Sequence, residues 1–263
     1  MTQTWHDLLF AHWPLPAETV RAAVPAELEL DTVGGSAWLG VVPFRMTGIR
    51  LRGLPPIPGT AAFPELNMRT YVRRGGRAGV WFFSLDAANA LAVAAARRWF
   101  HLPYFRARMT CDPAGEGVRY ESVRTHRGAA PAELRAEYGP ASAVDLAPRG
   151  SLEHWLTERY CLYAVTKNGN VLRGDIHHRP WPLQRAKAQL ERCTLPAAHG
   201  FALPQTPPHL LFARRLEVLI WPPRRDDGNS VQTTGRAIGR ARGGGRGPVT
   251  DPQPGGGHDS RGE

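Results

Sequence analysis

The stretch FPELNMRTYV, residues 63–72, places chemically capable side chains on one side of a predicted strand. Successive side chains of a strand point to opposite faces, so Glu65, Asn67, Arg69 and Tyr71 share one side, while the alternate residues are mostly apolar. An acid, an amide and a guanidinium together could move a proton, orient a substrate and bind an anion. Asparagine is unfavourable in strands, which favours a polar cavity. A solvated outer face is the alternative.

These residue types suggest specific roles. We predict Glu65 as a general acid or base, and Asn67 and Arg69 as ligand-binding residues that orient a substrate and hold an anion. An ion pair with Arg69 would lower the pKa of Glu65, whereas burial would raise it. Both directions remain open at the level of sequence.

Two neighbouring predicted strands carry further candidates. Tyr104, Arg106 and Arg108 share one side of YFRARM, and we predict Arg108 as a residue that favours a carboxylate or phosphate ligand. Arginines at the rim or in solvent are the alternative. In the strand GVWFFSLDA, Ser84 is predicted to bind ligand, and Asp86 is expected to cap the following helix.

The histidines and cysteines indicate neither a metal site nor a disulfide. His177 and His178 are adjacent on a predicted strand, so their rings point to opposite faces and cannot bind one metal together. We predict that His178 lines the cavity, with a packed or surface histidine as the alternative, and we predict no metal and no cofactor. Three widely separated cysteines, with no CxxC, favour reduced thiols in a cytoplasmic protein.

The remaining pattern predicts an α+β protein with mainly antiparallel strands. One long helix is predicted at 87–100, and a short helix after Pro16. Glycine turns predict two hairpins, one through RRGGRAG and one through KNG. The strand at 4–12 is expected to break at Pro14, residues 52–64 to form a loop, residues 128–150 to be irregular, and residues 183–193 to be helix or strand.

Composition limits the classes of partner. The chain has 263 residues, 42% of them hydrophobic, which suits one large domain, predicted at 1–225. Low hydrophobicity and dense glycine predict a disordered tail at 226–263. We see no signal peptide and no run of about 18 apolar residues, so no membrane partner is expected. The net charge is +10, yet no nucleic-acid-binding signature accompanies it. Weak binding through the arginines and the tail is kept as an alternative.

Several segments in one order carry a family resemblance: AWLGVVPFRM, FPELNMRTYV, GVWFFSLDA, LTERYCLYAV and GDIHHRPWPLQ. They resemble the YqjF-like family, a bacterial domain of unknown function that is similar to the acetoacetate decarboxylase-like superfamily. The resemblance spans residues 5–221. It implies a cone-shaped, mainly antiparallel β-barrel with a ligand cavity, and it implies that Glu65 is the cavity acid.

The resemblance also implies a departure in chemistry. Acetoacetate decarboxylases carry a Schiff-base lysine in a Gly-x-Pro-Lys turn, whereas Tyr104 stands at that position in HLPYF. A phenol cannot form an imine, and only Lys167 and Lys187 remain as lysines. We therefore predict a small-molecule-binding protein without imine chemistry, in which Glu65 and Tyr104 are the candidate catalytic residues. A non-catalytic ligand-sensing module is the alternative, and the oligomeric state is left undetermined.

Overall fold

β-Structure dominates the part of the chain that the computed structural model describes, which comprises residues 1–50, 53 and 62–228. Within these residues there are thirteen strands: β1 (Thr2–Pro16), β2 (Glu29–Leu30), β3 (Ser36–Arg50), β4 (Ala62–Arg74), β5 (Arg77–Ala87), β6 (Tyr104–Ala114), β7 (Gly117–Arg124), β8 (Glu133–Pro140), β9 (Cys161–Val165), β10 (Val171–His178), β11 (Gln184–Cys193), β12 (His209–Ile220) and β13 (Arg224–Arg225). The same residues form four short helices and one π-helical turn: α1 (Ala17–Arg21), α2 (Ala90–Ala95), the turn Ala96–Phe100, α3 (Leu152–Thr157) and α4 (Leu195–Ala198). The predicted class, a mostly-sheet α+β fold with few helices, is confirmed. None of these helices is long and apolar enough to cross a membrane.

The strands form one sheet of mainly antiparallel pairs. Its order is β13-β10-β9-β5-β6-β7-β8-β11-β12-β1-β3-β4-β2, and β4 also pairs with β5 and β10 with β12. The parallel pairs are β5 with β6 and β5 with β9. Strand β5 therefore has three partners, and this position brings the start of β6 beside the Glu65 segment of β4.

Both hairpins predicted from glycine turns are confirmed. Strands β4 and β5 pair antiparallel through Gly75 and Gly76, which have φ values of 52° and 77°. Such positive φ values suit a tight hairpin turn, and only glycine adopts them without steric cost. Strands β9 and β10 pair in the same way across the KNG segment.

The predicted break at Pro14 is wrong, because β1 continues to Pro16. Pairing of β1 with β12 ends at His12, whereas pairing with β3 continues through Pro14 and Pro16. Beyond His12, β1 therefore pairs only with β3, and backbone N–H groups are needed on that side alone. A proline without an N–H group is tolerated at such a position.

Two further segments differ from the sequence prediction, and for a third the structure decides between helix and strand. The predicted helix 87–100 begins at Ala90 and changes to a π-helical turn at Ala96. The segment predicted to be irregular contains β8, whose buried Leu134, Ala136 and Tyr138 alternate with outward residues. Segment 183–193, left open between helix and strand, forms β11 from Gln184 onwards.

Both faces of β4 are buried. Leu66 and Met68 belong to one hydrophobic cluster, whereas Glu65 pairs with Phe44 and Ala87, which belong to another. The polar side of β4 therefore faces protein interior instead of bulk water.

Two predictions fall largely outside the described residues. The loop expected at 52–64 lies mostly outside them. Of the tail expected at 226–263, only residues 226–228 are described, and Asp226 pairs with Arg173 at 2.8 Å and Arg74 at 3.6 Å. The proposed boundary at 225 stays a prediction.

Candidate functional site

Glu65 and Tyr104 meet in the interior. The Glu65 side chain is 4% exposed, and the Tyr104 hydroxyl donates a hydrogen bond to Glu65 Oε2 at 2.8 Å. Residue 104 can reach Glu65 because β6 begins at Tyr104, opposite Leu85 of β5, while β5 also pairs with β4. From the other face, the buried Tyr120 hydroxyl donates to the Glu65 backbone carbonyl at 2.7 Å, which fixes the backbone of the acid.

Burial decides the protonation of this pair. Desolvation raises the pKa of Glu65 from 4.5 to about 8, opposed by the hydrogen bond from Tyr104 and supported by the negative charge of Asp86. Burial and the nearby Glu65 raise the pKa of Tyr104 well above 10. Both groups are therefore mainly neutral near pH 7, and Glu65 can exchange a proton close to physiological pH.

The ion pair that would have lowered the pKa of Glu65 does not form. Arg69 lies four residues along β4, about 13 Å away at about 3.3 Å per residue. Within the described part of the chain, no cation lies within ion-pair distance of Glu65. Desolvation is therefore opposed only by the hydrogen bond from Tyr104.

Asn67 and Arg69 carry polar atoms without partners on the Glu65 side of β4. Asn67 is 5% exposed, and its Oδ1 has no hydrogen-bond partner among the described residues. The buried Nε of Arg69 likewise has none there. A buried polar atom without a partner costs about 1–3 kcal/mol, so these atoms mark places for a ligand or water.

The rest of the Arg69 guanidinium is weakly held. Its Nη2 donates to Tyr71 Oη at 3.4 Å and to the Leu156 carbonyl at 3.5 Å. The group lies 5.3 Å from the Phe10 ring centre and 5.7 Å from that of Tyr71. Among the described acids, none forms an ion pair with Arg69. The result is a largely enclosed cation without a counter-charge.

Arg159, on the same tyrosine ring, shows the contrasting arrangement. Its guanidinium lies 4.9 Å from the Tyr71 ring centre, and its Nη1 lies 2.5 Å from Asp31 Oδ2. Both Arg159 and Asp31 are buried. The charge of Arg159 is thus neutralised by Asp31, whereas Arg69 has no ion pair with any described acid.

His12 is a site residue that the sequence interpretation missed. Its ring is fully buried, and its Nε2 lies 2.6 Å from Tyr71 Oη. Gly40 makes room for it, because a Cβ there would lie 2.8 Å from His12 Nε2. Burial and Arg69 hold the pKa of His12 well below 6.5, so the ring is neutral. The available signal was a lone polar residue within the apolar run LLFAHWPL.

Ser84 and Asp86 do not join this site. Ser84 pairs with Met68 and Asp86 with Leu66, and directly opposed residues point to the same face, so both lie on the face opposite Glu65. Asp86 does not cap the helix as expected; Asn89 does, accepting from the Ala92 N–H at 2.9 Å.

Asp86 instead forms a buried ion pair. Arg124 Nε donates to its two carboxylate oxygens at 3.0 and 3.1 Å. Burial raises the pKa of Asp86 to about 6, and the charge of Arg124 opposes that rise. The ion pair is a structural element of the face opposite Glu65.

Arg108 and His178 also differ from their predicted roles. Arg108 is exposed on β6, while its neighbour Ala107 is buried, so the arginine faces solvent. His178 is buried, stacked 4.7 Å from the Tyr160 ring, with Nδ1 2.7 Å from the Arg179 carbonyl. The packed histidine that was the alternative therefore describes it.

The lysines are also placed away from this site. Lys167 and Lys187 are exposed, one in the β9–β10 turn and the other on β11. No group of three or more His, Cys, Asp or Glu side chains is arranged to bind a metal in the described part of the chain.

Comparison with known proteins gives a family and a fold. Residues 2–217 match the DUF2071 family, described as an uncharacterized conserved protein. The chain is 49% identical over 225 residues to the uncharacterized protein YqjF of Bacillus subtilis (strain 168), covering 86% of this chain and 92% of YqjF.

Solved structures of the same fold include two enzymes. The enduracididine biosynthesis enzyme MppR, complexed with pyruvate, matches with a TM-score of 0.59 and 14% identity over 87% of this chain and 91% of MppR. An acetoacetate decarboxylase-like enzyme from Sphingomonas wittichii RW1 matches with a TM-score of 0.57 and 14% identity over 86% of this chain and 93% of that enzyme. At these identities the likeness concerns the fold alone.

Proposed function

We propose that this protein, which belongs to the DUF2071 family, binds a small organic anion between Arg69 and the Glu65–Tyr104 pair and exchanges a proton with it through Glu65. One observation carries the proposal. The buried acid Glu65 shares a hydrogen bond with the partly buried Tyr104. On the same side of β4 lies the partly buried guanidinium of Arg69, which has no ion pair with a described acid and whose buried Nε has no partner there. The buried polar atoms of Arg69 and Asn67 that have no partner are costly without a ligand. Together with the neutral acid they suit a molecule with one charged and one neutral polar end.

We further propose that the sheet closes into a barrel. The pairing of β4 with β5 completes a circuit through β6, β7, β8, β11, β12, β1 and β3. Such closure would enclose side chains between the strands. It supports a protected interior for the ligand, as the resemblance to acetoacetate decarboxylases implied.

Each residue has a distinct proposed role. Arg69 anchors the anion, and Asn67 accepts a hydrogen bond from the ligand through its free Oδ1. Tyr104 holds Glu65 and orients its carboxyl. Glu65, with a pKa of about 8, donates a proton when neutral and accepts one when ionised. Exposure of both lysines argues against imine chemistry, which needs a desolvated amine.

The pyruvate complex of MppR supports the charge of the ligand. Pyruvate is a small organic anion, and MppR shares the fold at low sequence identity. The fold can therefore house a ligand of this class, while the residues that would bind it in this protein are argued from its own contacts.

A non-catalytic ligand-binding module is the second candidate. The Tyr104 hydroxyl already occupies Glu65 Oε2, so the acid has a partner without a substrate. In that case the Glu65–Tyr104 pair would shape the site and exclude water from it, and the ligand would bind without being converted.

The test is mass spectrometry of small molecules retained by the purified protein. We expect an organic anion with the wild type and with the surface control Arg119→Gln, whose side chain is 63% exposed, and its loss with Arg69→Gln. If the purified protein retains no small molecule, binding is measured instead by thermal-shift titration with a panel of small carboxylates and phosphates. Retention of neutral molecules unaffected by Arg69→Gln, or no binding by the whole panel, would refute the proposal.

Catalysis is tested separately once a ligand is known. Glu65→Gln is expected to retain binding and lose turnover, because glutamine can still accept the Tyr104 hydrogen bond but cannot exchange the proton. Absence of turnover in the wild type, with saturable binding, would establish the non-catalytic module instead.

A further inference from the structure

The Tyr71 hydroxyl fixes the hydrogen on the His12 ring. Arg69 Nη2 donates to Tyr71 Oη at 3.4 Å, so the hydroxyl oxygen is an acceptor in that contact. Tyr71 is fully buried, and the acceptor found for its own hydrogen among the described residues is His12 Nε2, at 2.6 Å. Because Nε2 must then be unprotonated, a neutral His12 carries its hydrogen on Nδ1.

The Nδ1–H group of His12 has no hydrogen-bond acceptor among the described residues. His12 is fully buried, and Nδ1 finds no partner in the described ranges. Burial and the charge of Arg69 hold the pKa of His12 well below 6.5, so the ring is neutral. A buried donor without an acceptor is costly, and such a donor is stabilised by a ligand or water that accepts from it.

We infer that His12 is a ligand-binding residue, which donates from Nδ1–H to an oxygen of the anion that Arg69 holds. This role rests on the proposed anion site. The two groups are joined through one atom, because His12 Nε2 and Arg69 Nη2 both contact Tyr71 Oη, while Nδ1 and the Arg69 Nε remain without partners. Two free donors suit an anion with at least two oxygens, such as a carboxylate.

The ring is also held in place sterically. His12 packs parallel to Phe10, with ring centres 6.2 Å apart and an angle of 10° between the planes. On another side the ring lies against Gly40, where a Cβ atom would come within 2.8 Å of Nε2. Such packing keeps the donor direction set before a ligand arrives, which lowers the ordering cost of binding.

The tautomer is measured directly on the wild-type protein by nitrogen-15 NMR of labelled histidine and arginine. Signals of His12 and Arg69 are assigned by their absence in His12→Asn and Arg69→Gln. The inference requires a neutral ring with hydrogen on Nδ1. A hydrogen on Nε2 would overturn it, whatever the variants do.

The ligand contact is tested by titration with sodium acetate against sodium chloride at equal ionic strength. We expect acetate to shift both the Arg69 Nε–H and the His12 Nδ1–H signals. A shift at Arg69 alone would overturn the role of His12 and leave the anion site standing. A shift at neither would refute the anion site itself, and the role of His12 with it.

Two variants separate ligand contact from packing. Asparagine places an N–H donor near the position of Nδ1, and glutamine places its amide near that of Nε2. Acetate affinity is expected to stay within about threefold in His12→Asn and to fall about tenfold or more in His12→Gln, the effect of one lost hydrogen bond to a charged group. Full affinity in His12→Gln, which keeps the contact with Tyr71, would indicate a merely structural histidine and contradict the inference.

Discussion

Replacement of Glu65 by glutamine should stabilise the protein, and the gain should grow with pH. The pKa of Glu65 is about 8 in the folded protein against its usual 4.5, so the folded state holds a proton that the unfolded state releases between these values. Wild-type stability therefore falls as pH rises through this interval, by about 1.4 kcal/mol per pH unit. The Glu65→Gln variant does not lose stability in this way, so its free energy of unfolding at neutral pH should exceed that of the wild type by about 3 kcal/mol.

Urea unfolding from about pH 5 to about pH 9 measures the effect. The difference between Glu65→Gln and wild type isolates residue 65, because Asp86, whose pKa of about 6 also affects the profile, titrates in both proteins. Glu121→Gln is the matched control, since Glu121 lies in an exposed ion pair with Arg135, and it should parallel the wild type. A stability difference for Glu65→Gln that stays constant across this range would refute the assignment of Glu65 as a buried, mainly neutral acid.

Three further predictions follow from the packing. Arg124→Leu should cost about 3–5 kcal/mol in urea unfolding because it leaves the buried Asp86 unpaired, whereas adding Asp86→Leu should recover most of the loss; equal losses would contradict this. Gly40→Ala should cost about 1–3 kcal/mol and weaken anion binding, because its Cβ would meet the His12 ring; unchanged melting temperature and affinity would show that the ring moves freely. Asn89→Ala should cost about 1 kcal/mol through loss of the helix cap, and thermal melting close to wild type would indicate that the cap is dispensable.

Local signals made much of the fold predictable. The alternation of Glu65, Asn67 and Arg69 identified a strand, and the glycine turns identified its hairpin partner, because these features depend on neighbouring residues. The same logic failed for Asp86, where the local preference for a helix cap competed with an arginine 38 positions away. Burial and a non-local charge prevailed over sequence proximity.

The candidate site was only partly predictable for the same reason. Glu65 and Tyr104 were linked through a family resemblance, whereas His12 and Tyr71 meet across 59 positions of sequence with no motif to mark them. Ser84 and Arg108 were placed by counting alternate residues, yet the direction in which each face points is set by distant strands. Strand periodicity identifies which residues share a face but not what that face contacts.

The pairing of β1 with β12 has a consequence for biosynthesis. Thr2 lies opposite Leu219. The backbone hydrogen bonds on one edge of β1 therefore cannot form until nearly the entire folded region has left the ribosome. Meanwhile β1 can join β3, but its other edge stays open to pairing with other chains. Nascent chains that stop before β12 should therefore aggregate or recruit chaperones, which ribosome profiling of chaperone-bound intermediates can examine. Truncated chains that remain soluble and monomeric would show that this edge is protected by other means.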